Sequence, residues 1–165
     1  MPTVELAYGT KARLLKAAID VAIAGDDADV PVLDRAEVAA ALRIPDPAGY
    51  LAAIAAVIGP AQERSAGLVL AVFEAAASDP DLAALAEQLV TQRAVTAAFL
   101  VDALASRAPL RPELTRQDAV DTLWLLMDPA VYRRLTHNRG WTLPAYQAWF
   151  ARSAHALLIP DRSPP

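Results

Sequence analysis

The side chains best suited to chemistry are two histidines, a group of arginines, and a few acids and amides set in apolar stretches. His137 and His155 fall in different helical stretches. With no His-x3-His spacing and no cysteine nearby, they do not form a metal-binding pattern. His137 suits the end of a short helix, where positive charge complements the dipole, and His155 suits a polar helix face. Arg133, Arg134, Arg139 and Arg152 are the densest basic group. They could hold a phosphate, but a solvated face or pairing with acids such as Asp128 would use the same residues. Glu63-Arg64 and Glu74 have no partner carboxylate at readable spacing. There is no Gly-x-Ser-x-Gly elbow, no glycine-rich phosphate loop and no His-Glu-x-x-His. The pattern suggests a binding protein, not an enzyme, with no cofactor or metal expected.

Composition narrows the field. At 165 residues and 55% hydrophobic, the chain suits one domain with a proper core. Cysteine is absent, which fits a reducing compartment. The net charge is −4, and of 15 basic residues only Lys11 and Lys16 are lysines. An acidic chain without a basic stripe is a poor nucleic-acid binder by itself. The start lacks signal-peptide character. The longest uncharged apolar window, 47–62, is too short and too interrupted to span a bilayer. A soluble, cytoplasmic protein is expected.

The elements that must position these residues are all helical. Thr10 can cap a helix over 10–24, with Leu14, Leu15, Ile19 and Ile23 at helical spacing and Gly25 as its stop. A short helix is expected over 34–42, started by Asp34. Asp46-Pro47, Asp79-Pro80 and Asp128-Pro129 repeat one start signal. The carboxylate accepts a free first-turn N–H, and proline fits where no N–H is needed. The 47–77 stretch carries Gly59-Pro60, so a break or sharp kink is expected there. With that break, the 80–106 helix is the longest uninterrupted one expected, roughly 40 Å. Thr115 with Asp118 resembles a capping box, and Thr142 caps the last helix. About eight helices and no strand are expected.

The 115–158 stretch is apolar on more faces than one contact needs. Trp124, Leu125, Leu126 and Met127 are consecutive and cover most of a helix circumference. Such a helix is buried on more than one side. The simplest second side is another copy of the chain. A homodimer seam is therefore expected at Val120, Leu123, Tyr146, Trp149, Phe150, Ala154 and Leu157. The other possibility is that these residues fill one chain's own core.

Two stretches carry a family resemblance. In the first, Thr3, Tyr8, Gly9, Thr10, Lys11 and Leu14 resemble the end of the helix-turn-helix of TetR-family bacterial regulators. Glu5 departs from it, standing where the family usually has a tyrosine able to touch a phosphate. The second and more specific stretch runs from Asp118 to Phe150. It includes Leu123-Trp124, Asp128-Pro129, Val131-Tyr132, Arg139-Gly140-Trp141, Tyr146 and Trp149, and is similar to the C-terminal domain of an actinobacterial-type branch of the family.

The resemblance implies an all-α ligand-binding and dimerisation domain over 10–160, preceded by a recognition-helix remnant at 1–9 and followed by a tail at 161–165. The last two long helices would form a dimer four-helix bundle. A cavity is implied among the helices at 47–77, 80–106 and 115–127. Leu70, Phe73, Thr96, Phe99, Trp124 and Met127 would face a small hydrophobic ligand there, with Glu74 and Gln92 as further polar candidates. An ordinary packed core would use the same side chains. Thr3, Tyr8 and Lys11 would be what remains of the DNA contact. A chain without the preceding helices is expected not to bind operator DNA. In the alternative reading it is a headless interaction module that heterodimerises with a full-length regulator.

Overall fold

A computed structural model describes residues 10–28 and 31–160. Among them the chain is all-helical: α1 (Lys11–Ala24), α2 (Ala36–Leu42), α3 (Pro47–Ala75), α4 (Pro80–Ala105), α5 (Arg116–Leu126), α6 (Pro129–Arg133) and α7 (Leu143–Leu158). A 3₁₀ turn (Val32–Asp34) precedes α2, and a π-helical turn (Arg134–Asn138) continues α6. No described helix is long and apolar enough to cross a membrane. Residues 1–9 and 161–165, including Thr3 and Tyr8, lie outside the described residues.

The start signals act as their chemistry requires. Asp46, Asp79 and Asp128 each accept a first-turn backbone N–H, from Gly49 at 2.6 Å, Asp81 at 3.0 Å and Ala130 at 2.7 Å. Thr115 and Asp118 form a reciprocal capping box. Thr10 and Thr142 cap α1 and α7. Gly25 ends α1 at φ 91, a left-handed conformation that glycine adopts without strain.

Two boundaries differ from expectation. Asp34 does not start α2; it ends the 3₁₀ turn, and Arg35 takes the cap position with its guanidinium on Asp26 at 2.7 Å. Asp26 and its arginine lock the loop end in place of a carboxylate cap. The second difference is larger. α3 runs through Gly59-Pro60 without a break. α1, α2, α4, α6 and α7 all pack on α3, and this burial outweighs the cost of about 3 kcal/mol for an interior proline. Gly59 supplies a notch. A Cβ there would meet Gln147 Cγ at 2.8 Å and Leu143 Cδ1 at 3.0 Å, so α7 lies where a side chain would otherwise stand.

α3 is thus the axle of the fold. Its N-terminal half, through Tyr50, Leu51, Ile54 and Ala55, packs into the main core with Leu100, Leu104, Leu123 and Phe150. Its C-terminal half packs Val69 and Val72 against Ile19 of α1 and Leu82, Leu85 and Leu89 of α4.

Candidate functional site

Helix C-termini leave carbonyls that lack intrahelical partners. Here side chains from neighbouring segments fill that need. Arg64 of α3 donates through Nε to Ala22 O at 2.7 Å and through Nη2 to Ile23 O at 3.2 Å, closing α1. Arg107, just after α4, donates to Ile44 O at 2.8 Å and Leu42 O at 2.5 Å, closing α2. Its guanidinium lies 4.1 Å from the Tyr50 ring centroid. Arg111 donates to Ala156 O at 2.9 Å near the end of α7. Gln62 does the same for α5, donating to Met127 O at 2.5 Å. A planar, permanently charged fork suits this task better than an ammonium, and it complements the negative helix end. This gives the predominance of arginine over lysine a structural use.

A partly buried ion pair sits at the α4–α5–α6 junction. Arg93 Nη2 is 2.8 Å from Asp128 Oδ2, and the guanidinium lies 4.0 Å from the Trp124 ring centroid. Arg93 Nε is buried with no hydrogen-bond partner. Burial pushes the Arg93 pKa down, while the neighbouring Asp128 carboxylate opposes the shift. Asp128 also caps α6, so one carboxylate ties a helix start to a buried cation. The expected pairing of Asp128 with Arg133, Arg134, Arg139 or Arg152 is replaced by this contact from α4. Beside it, the Tyr132 and Tyr146 rings meet edge-on at 4.9 Å, and the Tyr146 hydroxyl donates to Leu126 O at 3.4 Å. Burial raises the Tyr146 pKa.

The six residues expected around a ligand are not brought together. Met127 is in the main core, and Phe99 and Trp124 pack against it. Phe73 packs against the second cluster, around Ile19 and Leu85. Thr96 spends its hydroxyl on Gln92 O of its own helix at 3.1 Å. Leu70 is half-buried on α3; Glu74 and Gln92 are exposed. Met127, Phe99 and Trp124 thus go with one core and Phe73 with the other, because α3 and α4 are long enough to serve both. Two open grooves are present instead. One, of about 480 Å³, is lined by Arg43, Ile44, Ser106 and Arg107 among others. The other, of about 450 Å³, is lined by Phe73, Ala86, Glu87, Val90 and Thr91, so Phe73 alone of the expected set borders it.

The expected seam also needs correction. Tyr146, Phe150 and Ala154 are 0% exposed, and Val120 and Leu123 are buried too, all within a single chain. The i, i+4 row of α7 faces α3 and α5 of its own subunit, so these five side chains are core. Trp149 is half-buried, edge-on to Trp141 at 6.2 Å. Leu157 is half exposed in the last turn of α7, on the same side of the helix as Phe150. Leu125, part of the apolar 124–127 run but not of the expected seam, is 56% exposed on α5. Ala145, Ala148, Arg152 and Ala156 line the outer face of α7. Lys11, the described member of the expected DNA-contact set, lies exposed 4.0 Å from Asp79. His137 is exposed in the π-helical turn and His155 is half-buried on α7.

Arg93, Arg107 and Gln62 carry the most specific polar contacts, and none was singled out from sequence. The usable signal was a polar residue inside an apolar helical stretch, the rule that selected Gln92 and Thr96 one position and three positions from Arg93. No family model, no curated protein and no solved structure matches this chain.

Proposed function

We propose that the chain is the ligand-sensing and dimerisation domain of a TetR-like transcriptional regulator, working in the cytoplasm by binding and not by catalysis. The observation that carries this reading is the outer surface of α5 and α7. These helices pack against each other, and their outward positions include the exposed Leu125 of α5 with Ala145, Ala148 and Ala156 of α7. Alanines allow a second helix pair to approach closely, and the exposed Leu125 gains from being covered. Two copies meeting there around a two-fold axis would form a four-helix bundle. Ala145, Ala148 and Ala156 lie on the far side of α7 from Tyr146, Phe150 and Ala154. The seam would bury on the order of 2,000 Å².

The sequence features at Asp118, Leu123-Trp124, Asp128-Pro129 and Arg139-Gly140-Trp141 support the same reading. Asp118 and Asp128 cap helices, and Trp124 stacks on Arg93. In this reading a small ligand with apolar surface shifts the balance between two helix arrangements of the dimer. DNA is a partner only when a complete helix-turn-helix stands before α1.

The test is charge insertion on the outer face. Leu125→Arg and Ala148→Arg alter exposed positions, so the helical circular dichroism should be unchanged while the dimer dissociates. A dimer unaffected by both substitutions would place the interface elsewhere.

A further inference from the structure

The groove between the C-terminal half of α3 and α4 combines features that point to a particular ligand charge. Phe73, Ala86 and Val90 give it apolar walls, and Glu87 places a carboxylate on its lining. Glu87 forms no ion pair among the described residues, and positions 83, 84, 90 and 91, its helical neighbours, hold no cation. Thr91 turns its hydroxyl to Glu87 O of its own helix at 3.0 Å and does not compensate the charge. Phe73 lies in the last turn of α3, where helix carbonyls concentrate negative potential. Glu74, Asp79 and Asp81 lie around the same α3–α4 corner, where Lys11 answers Asp79 alone. An apolar slot with an aromatic wall, an unpaired carboxylate and a negative surround complements a positive charge on an apolar body.

We infer that this groove binds an organic monocation, such as an alkyl- or aryl-substituted ammonium or phosphonium. The cation rests on the Phe73 ring and beside the Glu87 carboxylate, while its apolar body covers Ala86 and Val90. This gives the proposed sensing role a ligand chemistry, and it rests on that reading only for its biological purpose.

Tetraphenylphosphonium and tetraphenylborate have nearly the same shape and opposite charge. Titration calorimetry of the full chain at low salt should give binding of the phosphonium at least about tenfold tighter than of the borate. Glu87→Gln, at an exposed site, should weaken phosphonium binding by about tenfold, and Asp34→Asn, away from the groove, should leave it unchanged. Phe73→Leu keeps the apolar volume and should weaken phosphonium binding while leaving the helical signal intact. Equal binding of the two ions, no phosphonium binding, or an affinity indifferent to Glu87→Gln overturns the inference. The mass of the chain in solution separates the two proposals. A dimer that ignores the phosphonium removes this inference alone, and a monomer that binds it removes the regulator reading alone.

Discussion

Gln147 of α7 stands where a side chain at Gly59 of α3 would stand, its Cγ 2.8 Å from the position of a Cβ. Glycine is therefore required at 59 by packing, even though it sits inside a helix. Gly67, on the same helix, is different: a Cβ there would meet only Arg133 Nη1, at 3.5 Å. Gly67→Ala should stabilise the chain by about 0.5–1 kcal/mol through helix propensity. Gly59→Ala should destabilise it by about 1 kcal/mol, because overpacking of 1–3 kcal/mol exceeds the same gain. Chemical denaturation of both variants would check the opposite signs.

Arg107 joins the end of α2 to Tyr50 and α4. Arg107→Ala should cost about 2–3 kcal/mol by leaving carbonyls unpartnered and the ring unstacked. Arg107→Lys should recover less than half of that, since an ammonium cannot reproduce the planar fork. Thermal unfolding of the two variants would separate charge from geometry.

The Arg93–Asp128 pair should behave as a unit. Arg93→Leu leaves a partly buried carboxylate without its cation and should cost about 1–3 kcal/mol. Adding Asp128→Asn keeps an N-cap acceptor while removing the stranded charge, so the double variant should be more stable than Arg93→Leu alone. A double-mutant cycle measured by denaturation gives the coupling directly.

Stability should also fall at both extremes of pH. Burial pushes the Tyr50 pKa from 10.0 to about 12. Its contribution is complete below pH 10 and is lost as pH rises towards 12, by about 3 kcal/mol in all. Tyr50→Phe should flatten this alkaline loss. At the acid end, hydrogen bonds from Arg35 lower the Asp26 pKa to about 2, and Arg116 and Thr115 lower those of Asp102 and Asp118. Their contribution is present above the ordinary value of 3.8 and is lost as pH falls towards 2. These carboxylates are exposed, so the acid loss should be shallow and salt-sensitive. Thermal melts from pH 2 to 12 would map both limbs.

The helix plan was readable because its signals are local. Asp-Pro and Thr starts act through the next two or three residues, and each of Asp46, Asp79, Asp128, Thr115 and Thr142 caps where its spacing places it. Pro60 misled because local chemistry predicts a break, while packing on several sides of α3 decides otherwise. The site was harder for the same reason. Apolar type alone cannot tell which side of α7 faces inward, so the expected seam takes in Tyr146 and Phe150, which are core, and leaves out Leu125, which is exposed. The contacts of Arg93, Arg107 and Gln62 join residues 35 to 65 positions apart, and no short pattern encodes them.

The central claim is that the outer faces of α5 and α7 join two copies. Light scattering on the purified chain at micromolar concentration tests it most directly. The account predicts a particle of twice the 17.5 kDa chain mass, reduced to a single chain by Leu125→Arg. A monomer in the unsubstituted protein would contradict it.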